Sequence, residues 1–200
     1  MRMKSLAKIF ALFIIFAGSS GMISGCATVQ HPGSISSSEY EAILEPNTKH
    51  VVKYSGLYND YDVSAVLLTP EVARSQVDYN HGLYLWTEEK HKEEAQKVEE
   101  KLAKETDVFV SFFAPEKKHN DLSRSKTLWK IFLEVDGQRY DGVASRFKSI
   151  SLTEIQSLYP FHTRFGTPYI VTFPVSALQL TNKNPKVTIT GPVGTMDFTF

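Results

Sequence analysis

The sequence has little cysteine, no long apolar run and no excess of charge of either sign. Cys26 is the only cysteine among 200 residues, so the chain cannot form an internal disulfide. The longest apolar run, residues 9–17, is shorter than the roughly 20 residues that a helix needs to span a bilayer. Basic and acidic residues are equal at 22 each, so we expect no nucleic-acid partner, which would require a basic patch or a high pI.

Motifs of the common enzyme classes are also missing. The sequence contains no Gly-x-Ser-x-Gly, no phosphate-binding loop, no His-Glu-x-x-His and no dinucleotide-binding fingerprint. Residues 191–194 contain two glycines, but Pro192 removes a backbone N–H that a phosphate cradle would use. These absences predict a protein that is not an enzyme, has no catalytic residues, and holds no cofactor and no metal.

The first 26 residues have the organisation of an export signal. Basic residues precede the apolar run, and the small residues 18–21 follow it. This order is typical of a secretory signal peptide rather than of a transmembrane helix. Residues 23–26, Ile-Ser-Gly-Cys, then resemble the lipobox of bacterial lipoproteins, in which the cysteine is lipidated and the preceding peptide is removed.

This resemblance implies that residues 1–25 are a lipoprotein signal peptide and that Cys26 carries acyl chains such as palmitate. Each buried CH₂ contributes about 0.8 kcal/mol, and more than one chain is needed for stable anchoring in a membrane. Residue 27 is Ala, where an aspartate would resemble the inner-membrane retention signal of Gram-negative lipoproteins. The resemblance therefore implies an outer-membrane lipoprotein that faces the periplasm. The processed chain would hold 19 basic and 22 acidic residues, close to balance.

The chain after the cysteine divides into a tether and one domain. Residues 26–38 are rich in Ser and Gly and show no periodicity, so we expect a flexible tether in which His31 is solvated. Residues 39–200 suit a single domain with a sizeable core.

The first half of that domain predicts two strands and then two helices. Residues 49–56 and 62–69 are rich in β-branched and aromatic residues, with a turn expected at 58–60. Thr69 and Pro70 should begin a helix, and Gly82 should end it with a left-handed cap. Residues 87–105 predict a solvated helix, with Glu–Lys pairs four residues apart and a narrow apolar stripe.

The second half predicts strands joined by turns. Residues 107–114 are apolar on both faces, as in a central strand, and Asp136-Gly137 indicates a hairpin turn. Further elements are expected as a short helix at 151–158, with Leu152, Ile155 and Leu158 inward, and strands at 168–175, 186–190 and 195–200. The order predicts a mainly β, α+β fold: an antiparallel β-sandwich with a helical insertion at about 70–106. Its resemblance to immunoglobulin-like or C2-like sandwiches is loose and carries no function.

Two polar stretches are candidate partner-binding sites. The loop at 115–126 is long for a hairpin and offers Lys117, Lys118, His119 and Arg124 to anionic headgroups, glycans or a protein partner. A solvated loop explains the same residues.

The second stretch, residues 159–169, places aromatic residues between two prolines. Its candidate residues are Tyr159, Phe161, His162 and Arg164. They could line a groove for an apolar or sugar ligand, or they could form a rigid cap on one end of the sandwich.

Together these features predict a membrane-anchored, non-enzymatic envelope lipoprotein that binds an envelope protein or glycan partner. One alternative is an envelope hydrolase whose site forms only in three dimensions, from residues such as His81, His119, Asp121 and His162. The other is a structural or assembly factor that acts through helix 87–105, with Val98 and Leu102 at the contact.

Overall fold

The computed structural model describes residues 31–124, 126–147 and 151–200. Cys26 and the lipobox lie outside these residues, so the signal peptide and the lipidation stay predictions. Within the described ranges, no helix combines the length and the apolar character that crossing a membrane requires.

Four α-helices and nine β-strands make up the described residues, with two 3₁₀ turns at Glu45–Asn47 and Ala177–Leu180. The helices are α1 (Ser37–Leu44), α2 (Pro70–Leu83), α3 (Glu88–Leu102) and α4 (Leu152–Leu158). The strands are β1 (Thr48–Ser55), β2 (Tyr58–Leu67), β3 (Thr106–Phe113), β4 (Lys130–Val135), β5 (Gln138–Asp141), β6 (Val143–Arg146), β7 (Thr167–Phe173), β8 (Lys186–Gly191) and β9 (Gly194–Thr199).

The strands form two antiparallel sheets. One has five strands in the order β1-β2-β3-β7-β6, and the other has four in the order β5-β4-β8-β9. The helical insertion, α2 and α3, lies between β2 and β3 in the chain. The prediction of a mainly β, α+β sandwich with a helical insertion is therefore confirmed.

The main core lies between the two sheets and follows the period-two alternation of strands. In β3, Val108, Val110 and Phe112 are fully buried and belong to this core. Leu133 and Ile189 meet them from the four-stranded sheet. Burying a side chain of this size contributes about 1.5–3 kcal/mol, so this layer is the largest source of stability.

The opposite, outer face of the five-stranded sheet carries the helices. Val66 of β2 and Phe109 of β3 point to this face and form a second core. Tyr40, Val72 and Leu158 cover them from α1, α2 and α4. The same face continues on β2 and β3 to Ser64 and Ser111, where an open groove replaces the helices.

Local signals explain where the helices begin. The Thr69 hydroxyl accepts from Val72 N at 3.2 Å, with Pro70 in the first turn, as predicted. Thr87 caps α3, and α1 and α4 each begin with a Ser–Glu capping box. The expected pair of Glu93 and Lys97 forms at 2.5 Å. The two predicted helices of the insertion and the short helix at 151–158 are thus confirmed within a few residues.

Three local predictions for residues 39–200 are wrong. The first hairpin turns at Gly56, with φ +65°, rather than at 58–60. Gly82 is not a left-handed cap: it lies inside α2, where an added Cβ would come within 2.8 Å of the Ser34 side chain. Close packing, not a positive φ, explains this glycine. Leu152 is 39% exposed instead of buried.

Residues 31–38 pack on the domain instead of forming part of a flexible tether. Helix α1 begins at Ser37, before the predicted start of the domain at residue 39. His31 is not a solvated tether residue, because it is partly buried and its Nδ1 lies 3.1 Å from His81 Nε2. Short-range patterns could not show this contact, which joins residues 50 positions apart.

Candidate functional site

The open half of the outer sheet face forms a concavity of about 630 Å³, which we call the sheet groove. It is lined by Thr48, His50, Asn59, Asp62, Ser64, Ser111, Phe113, Phe161, Thr163, Phe165 and Gly166. These residues come from β1, β2, β3 and the loop between α4 and β7.

The floor of the sheet groove is polar because three adjacent strands place polar side chains on it. His50 Nε2 lies 2.8 Å from Asp62 Oδ1, and these side chains are 53% and 45% exposed. Ser64 pairs with Ser111 in the register of β2 and β3. The floor therefore offers a carboxylate, an imidazole and hydroxyls as hydrogen-bonding groups.

Three phenylalanines form the apolar part of the sheet groove. The rings of Phe113 and Phe165 lie 6.4 Å apart at 62°. Phe161 is partly buried, with its ring 6.1 Å from that of Phe109 beneath the helices. Phe165 is 62% exposed, so much of its ring is available to a ligand.

A buried serine–histidine pair lies beside the floor. Ser111 Oγ is 2.8 Å from His162 Nδ1, and both residues are buried. Burial lowers the pKa of His162 because the charged imidazolium loses its hydration. Gly166 makes room for the pair, since an added Cβ would lie 2.5 Å from Ser111 Oγ.

The candidate acid–base residues of the sequence do not converge. His119 is buried, and its carbonyl accepts from Trp129 Nε1 at 2.7 Å. Asp121 bonds to arginines, whereas His81 lies against His31. Within the described residues, no two of His81, His119, Asp121 and His162 share a third polar group. The arrangement that would have favoured a hydrolase built from these four is not found in that part of the chain.

The loop at 115–126 is folded around the buried carboxylate of Asp121. Lys117 and Lys118 are exposed, and Lys118 pairs with Glu116 at 2.8 Å. Asp121 accepts from Arg124 Nε and Arg146 Nη2, each at 3.0 Å.

The electrostatics of this carboxylate follow from the same contacts. Burial acts to raise the pKa of Asp121, but hydrogen bonds from Ser123, the charge of Arg146 and a hydrogen bond from Arg124 outweigh it, so the pKa is lowered. Arg124 is paired with Asp121, but its side chain remains 62% exposed, so it lies at the loop surface together with Lys117, Lys118 and Lys126.

The stretch at 159–169 divides between the core and the sheet groove. Tyr159 is buried, its ring stacks on Phe109 at 3.5 Å, and its hydroxyl accepts from Gln76 Nε2 at 3.2 Å. Burial raises the pKa of this phenol. Phe161 lines the sheet groove, His162 lies beneath it, and exposed Arg164 sits 4.9 Å above the Phe165 ring. The cap and groove interpretations each describe part of this stretch.

Sequence reasoning missed the strand residues of the site: Asp62, Ser64, Ser111 and Phe113. A signal was present in β3, where Ser111 interrupts a strand that is otherwise apolar on both faces. The alternation in β2 also places Asp62 and Ser64 on the same side as Val66. A polar side chain within such a strand indicates either a buried hydrogen bond or an open face.

No protein-family model, curated protein or solved structure matches this chain. Across residues 31–124, 126–147 and 151–200, no group of three or more His, Cys, Asp or Glu side chains is arranged to hold a metal ion. The interpretation of the sheet groove therefore depends on its own geometry.

Proposed function

We propose that this chain is a lipid-anchored, non-enzymatic envelope protein whose domain binds carbohydrate in the sheet groove. The observation that carries the proposal is the combination of three phenylalanines with a row of polar side chains in one concavity. The lipobox supports the anchor and the envelope compartment.

The chemistry of the sheet groove suits a sugar. Pyranose rings have apolar C–H faces and hydroxyl edges, so they match a site that offers aromatic rings beside hydrogen-bonding groups. Phe165 provides an exposed ring, and Asp62 and Ser64 provide acceptors and a donor. No lysine or arginine is among the lining residues, which favours a neutral glycan over a phosphorylated one.

The size of the sheet groove favours a glycan over a folded protein. Its volume of about 630 Å³ falls within the range of about 300–1,000 Å³ that is usual for small-ligand sites. A stable protein interface instead buries about 800 Å² on each partner. One or two sugar rings would fill this space, and they would belong to an envelope polysaccharide such as peptidoglycan.

The anchor is proposed to be two or three acyl chains on Cys26, in the outer membrane and facing the periplasm. Mass spectrometry of the processed protein should find an N-terminal cysteine that carries these chains. Cys26→Ala should leave the protein unprocessed or unlipidated. A wild-type protein that begins elsewhere, or that has a bare thiol, would contradict the anchor without affecting the groove.

Binding can be tested by co-sedimentation with purified peptidoglycan and by titration with its disaccharide fragments. Phe165→Ala removes an exposed ring from the sheet groove and should weaken binding by up to about tenfold, since an aromatic contact contributes about 0.5–1.5 kcal/mol. Tyr54→Ala is a matched control, because Tyr54 is 60% exposed against 62% for Phe165 and does not line the groove. Absence of wild-type binding, or equal losses in both variants, would contradict the proposal.

A hydrolase is the second candidate, and the Ser111–His162 contact of 2.8 Å favours it. A catalytic pair usually has a third group that orients the base. Among the described residues no carboxylate bonds to the His162 ring, and Ser111 is only 8% exposed. A fluorophosphonate probe should therefore leave the protein unlabelled. Labelling that disappears in Ser111→Ala would replace the binding proposal with the hydrolase.

An assembly factor acting through α3 has less support. Leu102 is 5% exposed, and Ser176 Oγ donates to its carbonyl at 2.9 Å. Val98 is partly buried against the rest of the domain. The apolar stripe of α3 is thus used within the domain, and its remaining surface is charged.

A further inference from the structure

Three electron-rich atoms meet where the N-terminal segment packs on α2. His31 Nδ1 lies 3.1 Å from His81 Nε2, His81 Nε2 lies 3.0 Å from Pro32 O, and His31 Nδ1 lies 3.2 Å from Pro32 O. We call these atoms the histidine triangle. His81 is fully buried, so its ring has a defined orientation.

A single proton can form hydrogen bonds along at most two of the three edges of the histidine triangle. A proton on His81 Nε2 can be donated to Pro32 O and to His31 Nδ1. The third contact, between Pro32 O and His31 Nδ1, then joins two acceptors. A proton on His31 Nδ1 produces the same problem on another edge. Protons on both nitrogens would place two N–H groups against each other. A cation at the centre would be attracted to all three atoms at once.

We propose that the histidine triangle binds a divalent transition metal of the zinc class. Imidazole nitrogens suit Zn²⁺, Cu²⁺ and Ni²⁺, and Zn–N and Zn–O distances are about 2.0–2.2 Å. In a triangle with edges of 3.0–3.2 Å, a point about 1 Å above the plane lies about 2.1 Å from every corner, which matches these bond lengths. The third ligand is a main-chain carbonyl rather than a third side chain.

Neighbouring side chains complete the environment. Glu88 Oε1 lies 3.8 Å from His81 Nε2, and its side chain is 58% exposed, so it places a negative charge beside the bound metal without ligating it. His91 stacks on His81 at 4.3 Å and is held by Asp78 at 2.8 Å. His81 Nδ1 has no partner among the described residues. Because ligating histidines usually bond through their second nitrogen, we expect weaker binding than at a structural zinc site.

A metal bound at this site would link two parts of the chain. His31 and Pro32 precede α1, whereas His81 lies near the end of α2, so a bound metal would fasten the N-terminal segment to the helix. His31 follows Cys26 by five residues. If Cys26 is lipidated as proposed above, the metal would hold the domain close to the membrane. The metal site itself does not depend on that lipidation.

The test is calorimetric titration of Zn²⁺ into the full protein, purified without a polyhistidine tag. The wild type should bind one equivalent. His31→Asn should weaken binding at least tenfold, because the amide can replace the hydrogen bond to His81 but is a poor zinc ligand. His50→Asn is the control, because His50 is a half-exposed histidine outside the histidine triangle. Circular dichroism should show that both variants remain folded.

A second measurement separates ligation from a structural role. Cu²⁺ in the wild-type site should give an electron paramagnetic resonance spectrum with hyperfine coupling to imidazole nitrogen, and His31→Asn should change it. A wild type that binds no Zn²⁺ would overturn the proposal. Equal affinities in His31→Asn and His50→Asn, or a copper spectrum that His31→Asn leaves unchanged, would overturn it too.

Discussion

The outer face of the five-stranded sheet has a covered half and an open half, and the same strands supply both. On β2, Val66 lies under the helices, whereas Ser64, two residues earlier on the same face, lies in the sheet groove. On β3, Phe109 and Ser111 divide in the same way. Helices cover the face at Val66 and Phe109, whereas the open half combines polar side chains with aromatic rings such as that of Phe113. This arrangement separates the stabilising part of the sheet from the part available to a ligand.

Aromatic rings occur in both halves but are held differently. Phe109 is fully buried and stacks on Tyr159 at 3.5 Å. Phe165 is 62% exposed and contacts Phe113 and the Arg164 guanidinium. We therefore expect the first ring to contribute mainly to folding and the second mainly to binding.

The largest effect is expected in the covered half. Phe109→Ala should lower the free energy of unfolding by about 3–5 kcal/mol, because it removes a buried ring and leaves a cavity. Phe165→Ala should change it by no more than about 0.5 kcal/mol, as is usual at exposed positions. Denaturant unfolding of the two variants measures the contrast, and similar losses would show that the two halves are not distinct in this way.

A smaller loss is expected at the boundary of the two halves. Ser111→Val removes the partner of the buried His162 Nδ1, and an unsatisfied buried polar atom costs about 1–3 kcal/mol. Ser64→Val is the matched control on the partly exposed side of the groove. Urea midpoints would measure both, and an unchanged midpoint in Ser111→Val would mean that the buried contact contributes nothing.

The buried Ser111–His162 pair also predicts that the stability of the fold depends on pH. The pKa of folded His162 is lowered by burial from its ordinary value of 6.5. As the pH falls below about 6.5, His162 binds a proton in the unfolded chain but stays neutral in the folded chain. The free energy of unfolding therefore declines toward acid pH. His162→Gln should reduce this slope when unfolding is compared at about pH 5.5 and about pH 7.5. A slope that does not change would contradict a neutral, buried His162.

The smallest effect on stability is expected on the open floor. Asp62→Asn removes the carboxylate that lies 2.8 Å from His50 Nε2, and both side chains are about half exposed. Exposed pairs contribute about 0–1 kcal/mol, so thermal unfolding should hardly change, whereas glycan affinity should fall. A large loss of stability would show that the floor is structural.

Much of the fold could be predicted because its signals are local. Thr69-Pro70 and Ser151 mark helix starts through their own hydrogen bonds, and Asp136-Gly137 forms its turn with φ of +51° and +76°. Strand β6 was not predicted because it is short. It also belongs to the five-stranded sheet, whereas the preceding strand, β5, belongs to the other sheet. Gly142 lies between them, where an added Cβ would come within 2.6 Å of the Phe173 ring.

The candidate site could be predicted only in part. The lining residues are spread along the sequence from Thr48 to Gly166. They come together only when β3 pairs with both β2 and β7. Of the residues proposed from sequence, Phe161 lines the groove and His162 lies beneath it. Tyr159 belongs to the core, because stacking on Phe109 draws it under the helices. Local patterns identified the loop but not the strands that it faces.

Hydrogen–deuterium exchange of the protein with and without a peptidoglycan disaccharide tests the central claim most directly. Binding in the sheet groove should protect amides at 62–64, 111–113 and 161–166, where the lining is concentrated, and leave α2 and α3 unchanged. Protection confined to the helices, or no protection at saturating disaccharide, would contradict the assignment of the open half as the binding site.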